Sequence, residues 1–227
     1  MTDGTPADIL QSPEFGNLEA NVNFIDESGL VTKSTHMLEI GTGRGGMLHL
    51  LRARGYDVQG VEISAERVAE AQGRFGDLPI QLTSGTALPF PDGSFDIVLS
   101  FDVFEHIRES DAHLAEVRRV LRPGGWYLLQ TPNKWTNAIF ETIRWRSFTR
   151  WKRDHCSLHT KKQLRRRLNA AGFRPIFDEV NVVTPFFKSK VKQYLGSPGL
   201  FIMAVINPDR LPSPLRTNFY VRAYRGD

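Results

Sequence analysis

Cysteine is almost absent. Cys156 stands alone among 227 residues, so no disulfide can close within the chain and the fold must rest on packing. Long apolar runs are missing too: Leu200 to Ile206 covers about a third of a membrane span and reads as a buried strand. The opening, Met1 to Leu10, has no basic stretch leading into an apolar one, so no cleaved leader is expected and a reducing, cytoplasmic setting is. No repeat or low-complexity tract occurs. With 41% hydrophobic and 24% charged residues, the composition is that of an ordinary globular chain, with disorder expected only over Met1 to Gln11. One domain spanning 1–227 accounts for the length.

What is present is alternation. Short β-rich runs at His36–Ile40, Tyr56–Ile63, Ile80–Thr83, Phe95–Phe101 and Trp126–Thr131 are separated by amphipathic stretches, the pattern of a parallel sheet with helices on both faces. Helices are predicted over Met47–Arg54, from the Ser64 cap to Arg74, and over Asp111–Leu121 before the breakers Arg122-Pro123-Gly124-Gly125. Lys134–Trp151 predicts a further helix, with Trp135, Ile139 and Ile143 spaced i, i+4, i+8. Thr160 and Gln163 form a capping box for a helix ending near Ala171. Strands over Phe173–Val183 and Asn218–Tyr224 follow. Residues 1–30 form an N-terminal segment, and 133–160 and 184–215 are expected to be lid or acceptor-site insertions.

Charge is uneven. The formal net charge is +4, but Arg144 to Arg167 holds ten Lys/Arg against one acid, Asp154, leaving the rest of the chain at −5. A solvated helix face, an RNA-gripping surface and a membrane-surface helix are all consistent with that block.

The central motif is Leu38-Glu-Ile-Gly-Thr-Gly-Arg-Gly-Gly46. A strand that runs into glycines and then a helix brings bare backbone N–H groups to a nucleotide-like ligand. The same spacing satisfies a dinucleotide fingerprint, and Glu62 at the end of the second strand suits a ribose in either case. Three features separate the readings. Glu39 precedes the glycines, where a carboxylate attracts the cationic amino-acid end of S-adenosylmethionine. Leu88-Pro-Phe-Pro-Asp-Gly-Ser94 follows the third strand at the distance of an adenine-facing loop. No second half-domain remains for hydride chemistry.

With Val61-Glu-Ile-Ser64, Leu88 to Ser100, Phe101-Asp-Val-Phe-Glu-His-Ile107 and Leu121-Arg-Pro-Gly-Gly125 added, the chain resembles the class I S-adenosylmethionine-dependent methyltransferases, in the branch related to ubiquinone and menaquinone biosynthesis. A weaker likeness runs from Asp154 to Phe173. The resemblance implies an α/β, Rossmann-like, mostly parallel seven-stranded sheet with the last strand antiparallel and helices on both faces. It implies S-adenosylmethionine across the carboxyl ends of strands 1, 2 and 4, leaving as S-adenosylhomocysteine. Glu39, Gly41 and Gly43 would meet its methionine part, Glu62 the ribose and Ile63 the adenine; Thr42, Gly45, Gly85 and Phe101 complete the expected binding set. Relatives usually carry an Asp where this chain has Ser84, and Ser84 or Thr86 could accept the hydrogen bond in its place.

An oxygen acceptor also needs its proton removed. His106, after strand 4, is the first candidate base and His155 the second, preferred over His159. No Cys/His/Asp cluster shows metal-ligand spacing, so no metal is expected. The expected partner is a small-molecule acceptor, a quinone-like or secondary-metabolite hydroxyl. Nucleic acid is disfavoured without a separate RNA-binding domain, and peripheral membrane contact stays open. The competing readings are an RNA methyltransferase using 144–167 and a non-catalytic or NAD-binding Rossmann protein.

Overall fold

The computed structural model describes residues 6–147 and 155–226. Seven strands, β1 (His36–Ile40), β2 (Asp57–Glu62), β3 (Ile80–Leu82), β4 (Phe95–Phe101), β5 (Leu121–Pro132), β6 (Phe173–Asp178) and β7 (Asn218–Arg225), form one sheet in the order β3-β2-β1-β4-β5-β7-β6. All neighbours are parallel except β7, which runs antiparallel to both β5 and β6. The sheet matches the expected topology.

Period-two burial sorts the strand residues onto two faces. Met37, Ile97 and Leu99 join the core formed with α2 (Leu18–Glu27) and α3 (Gly46–Ala53). Leu38 and Val98 point the other way, into the core shared with α5 (Ser110–Val120) and α7 (Lys161–Ala170). Ala71 of α4 (Ala65–Phe75) belongs to the first face. The chain builds outward from β1 in opposite directions, so a crevice opens at the carboxyl ends of β1 and β4. Local signals agree with the elements. Ser64 accepts from the Arg67 N–H at the start of α4, and the Thr160–Gln163 capping box opens α7.

Several expectations fail for one reason: burial against distant segments is not written in a local pattern. Disorder was expected through Gln11, yet Pro6–Gln11 forms α1 and buries Ile9. Behind it, Asn17 of the following turn is tied to Val182 and Thr184, and Asn21 of α2 accepts from the Tyr220 hydroxyl. The helix expected over 134–151 is α6, Lys134–Trp145, closed by Arg146 in the left-handed region; Phe148 and Trp151 lie outside the described residues. Its Trp135–Ile139–Ile143 stripe faces outward, 63%, 64% and 49% exposed, because Phe140, Glu141 and Arg144 form the inner face. Leu200–Ile206 is not a buried strand. It ends α8 (Pro185–Val205), a helix kinked at Gly196, and exposes Phe201, Ile202 and Ile206. β6 stops at Asp178 rather than Val183. Among the described residues no helix is long and apolar enough to cross a membrane.

Candidate active site

Three chambers that share lining residues lie along the carboxyl edge of the sheet. The largest, about 780 Å³, sits over β2 and the loop after β3. A small one of about 190 Å³ lies under the glycine loop, and a third of about 350 Å³ lies beneath α6 and α8. Gly41 borders the first two, His106 the first and third, and Asp102 all three.

The glycine loop is shaped by what surrounds it. Gly41 has φ +76°, and a Cβ there would come within 2.4 Å of Val103 Cγ2, so a side chain is excluded twice over. Its N–H and that of Thr42 donate to the Val61 carbonyl, turning the chain off β1. Glu62 closes the bend. Its Oε2 accepts from Gly43 N–H at 2.8 Å and its Oε1 from the N–H groups of Ile63 and Ser64, both at 3.0 Å. Gly45 lines none of the three chambers, and a Cβ there would strike Leu78 and Ala71, so the bare position lets the loop pack closely against α4 and the turn after it.

Glu39 points into the small chamber with Thr42, Gly43 and Phe101. Its Oε2 is buried without a hydrogen-bond partner, as is Thr42 Oγ1. Burial, and then the Glu62 charge, pushes the Glu39 carboxyl up to about 8. A buried carboxyl with an unpartnered oxygen beside bare backbone can receive a cation as it gives up its proton. In the large chamber Ile63 is 73% exposed along the wall. In the same chamber, Ser84 Oγ and Thr86 Oγ1 lie 2.8 Å apart on either side of Gly85. The expected cofactor set, Gly45 excepted, therefore converges on two adjoining chambers.

Asp102 was missed by sequence reasoning. It is a non-glycine residue at φ +54°, with its N–H and carboxylate both held by the Gln130 amide. Burial raises its carboxyl. Left-handed backbone at a non-glycine residue is a strain that cores seldom tolerate without need, but no sequence pattern announces it.

In the third chamber, Glu105 is buried, with Oε2 accepting from the Thr131 hydroxyl at 3.1 Å. Burial, then Asp102, raises its carboxyl well above the usual range. His106 Nε2 lies 3.9 Å from Glu105 Oε1, and its ring is 5.0 Å from that of His155. The Ser157 N–H donates to the Glu105 carbonyl and the Asn137 amide lies 3.0 Å from His155 Nδ1, so segment 155–157 is pinned to the turn carrying His106. The donor atoms of Glu105, His106 and His155 fall within 4.8 Å of one another. That set could hold a divalent cation, and their spacing in the sequence does not reveal it. His159 lies elsewhere, buried against Phe104, and lines none of the chambers. Phe140, Phe186 and Phe187 supply the apolar wall, with the Glu141–Arg144 ion pair at its edge.

A crevice at the strand-order reversal, with a glycine bend, a strand-end acid and an unpaired carboxylate beneath, defines a nucleoside-binding α/β domain. The methyltransferase-domain family matches residues 16–176, and the chain belongs to it. A probable S-adenosylmethionine-dependent methyltransferase of Mycolicibacterium smegmatis is 36% identical over 44% of this chain and 39% of its own, so the chain spans about two fifths of that relative. The ubiquinone biosynthesis O-methyltransferase of Sinorhizobium fredii is 27% identical over 71% of this chain and 67% of its own. In fold, the phosphoethanolamine N-methyltransferase 2 of Haemonchus contortus, in complex with S-adenosyl-L-methionine, superimposes with a TM-score of 0.66 at 18% identity, covering 99% of this chain and 58% of that one.

Proposed function

We propose that this domain transfers a methyl group from S-adenosylmethionine to an oxygen of a small apolar or aromatic acceptor, of the class of quinone-like or secondary-metabolite hydroxyls. The observation that carries the reading is Glu39, a buried carboxylate with an unpartnered oxygen beside the glycine loop. A cation in that chamber relieves both its burial and its repulsion from Glu62. The methionine end of the cofactor carries an ammonium; a nicotinamide dinucleotide carries no such group at that point. Three backbone N–H groups use three of the roughly four acceptor sites of the Glu62 carboxylate, which leaves one for a ribose hydroxyl. Ile63 offers a flat apolar wall for the base, and Ser84 and Thr86 offer hydroxyls to its edge.

When bound, S-adenosylmethionine supplies an electrophilic methyl on a sulfonium. The chain's own part is position and proton. His106, on the border of the large and acceptor chambers, takes the proton of the acceptor hydroxyl, with the Glu105 carboxyl 3.9 Å from its Nε2. His155 shares the same pocket and holds the acceptor oxygen toward His106. Phe140, Phe186 and Phe187 exclude water and favour an apolar ring.

Calorimetry with S-adenosylhomocysteine and NAD tests the cofactor half. The first should bind and the second should not, and Glu62→Ala should weaken binding by roughly 10- to 100-fold, the worth of hydrogen bonds to a charged acceptor. NAD binding without S-adenosylhomocysteine binding would overturn the reading.

A further inference from the structure

His113 lies on α5, fully buried, and touches none of the three chambers. Its Nδ1 is 2.8 Å from the Gly85 carbonyl and its Nε2 is 3.1 Å from the Tyr127 hydroxyl. We infer that His113 is a positioning residue for the adenosine end of the cleft: by holding the Gly85 carbonyl it fixes the Ser84–Thr86 turn in the place that binding requires.

The inference rests on the function proposed above and adds a residue that no cofactor motif contains. A carbonyl can only accept, so the bond to Gly85 demands a proton on Nδ1. Burial pushes the His113 ring down to about 4, so it is neutral and has a single proton to place. With that proton on Nδ1, Nε2 presents its lone pair to the Tyr127 hydroxyl, whose one proton is shared between Nε2 at 3.1 Å and Ser100 Oγ at 2.9 Å. Ser100 stands on β4 two residues before Asp102. One line of contacts thus runs from the turn, through α5 and β5, to the strand end where the chambers meet.

The fit at Gly85 is mutual. A Cβ there would lie 3.2 Å from His113 Nδ1 and 3.1 Å from Ile40 Cγ2, so the ring reaches the carbonyl because residue 85 has no side chain. One turn further along α5, Glu116 accepts from the Leu88 N–H at 2.8 Å. The helix therefore grips the loop at two points, and the His113 grip is the one beside Ser84 and Thr86. A short hydroxyl reaches less far than a carboxylate, so its contact depends more on exactly where the turn is held.

The test compares His113→Asn with His113→Gln. The asparagine amide can place its N–H near the Nδ1 position, facing Gly85, whereas the longer glutamine amide places it near Nε2, facing Tyr127. Both keep a polar group in the core. Calorimetry with S-adenosylhomocysteine and with 5′-deoxy-5′-methylthioadenosine, which lacks the amino-acid end, reads the adenosine half alone. H113Q should weaken both ligands by the same factor, roughly tenfold, the scale of a lost buried hydrogen bond. H113N should stay within threefold of the unsubstituted protein, and kcat at saturating S-adenosylmethionine should change less than twofold in either. Equal affinities for H113N and H113Q, or a loss confined to S-adenosylhomocysteine, would overturn the inference. A protein with histidine at 113 that bound neither ligand would instead sink the methyltransferase reading itself.

Discussion

The large chamber is walled from within residues 40–41, 61–67, 83–86 and 102–109, four short stretches each adjoining a strand end. The chamber beneath α6 and α8 draws on Gly16, Glu105, Phe140, His155, Phe187 and Asn218, from six separate elements. The first is held mainly by backbone groups: Glu62 bonds three N–H groups, and Gly41 and Thr42 bond the Val61 carbonyl. The second is held by side chains that cross between elements, such as Thr131 to Glu105 and Asn137 to His155. A site made of backbone tolerates change elsewhere in the chain, because any residue supplies the same N–H. A site made of crossing side chains is re-formed by almost any substitution. The acceptor side is therefore where relatives of one fold can diverge in what they methylate.

That contrast makes a sharp demand on His106, which sits on the border. His106→Ala should lower kcat by about 10²- to 10⁴-fold, the usual contribution of a positioned base. The affinity for S-adenosylhomocysteine, measured by calorimetry, should move less than threefold. A parallel fall in both would mean that the two sides are not separable and that His106 belongs to the cofactor side.

Glu39 sharpens the same contrast through pH. Its carboxyl, raised to about 8, is about nine-tenths protonated at pH 7 in the unliganded protein. Pairing with the ammonium of S-adenosylhomocysteine lowers that value, so binding should release close to one proton at pH 7. Calorimetry in buffers of different ionisation enthalpy reads the release directly, and affinity should rise between pH 6 and 8. Glu39→Gln should abolish both effects. Linkage gives the stability of the unliganded protein the opposite slope. A group whose folded pKa lies above its unfolded value of 4.5 contributes fully below that value, and the contribution is lost as pH rises toward 8. Denaturant midpoints of the unliganded protein should therefore fall over that window relative to Glu39→Gln. A flat difference would show that Glu39 is already charged.

These two sides also differ in how far they could be read in advance. β1 and β4 begin and end at the expected residues, His36–Ile40 and Phe95–Phe101, because a buried parallel strand is a continuous apolar run bounded by turn residues. Glu39 and Glu62 were legible because strand ends next to a glycine bend have a fixed place in this topology. The acceptor side was legible only in fragments. His106 and His155 were named, but Asp102, Glu105 and Asn137 acquire their roles through contacts across the chain. Trp135, Ile139 and Ile143 carry a clear helical period, yet period alone does not say which side of the helix faces the core. His113 left no signal at all, since a histidine on an amphipathic helix looks the same whether it meets a carbonyl or a core.

The smallest expected effect concerns the frame of the acceptor side. Thr160 caps α7, accepting from the Gln163 N–H at 3.3 Å while the Gln163 side chain returns to the Thr160 N–H at 2.9 Å. Immediately before it, the His159 carbonyl accepts from the Lys134 N–H at 3.0 Å, joining the start of α7 to the start of α6. Thr160→Ala removes one half of the box and should cost about 1 kcal/mol in denaturant unfolding. If the cap serves the fold alone, the acceptor KM stays within twofold. If the joined starts of α6 and α7 also set the position of His155, the KM rises while S-adenosylhomocysteine affinity holds. Because His155 is tied to α6 through Asn137 as well as to the Glu105 turn through Ser157, two anchors remain when the cap is lost. A stability loss without a change in KM is the expected result.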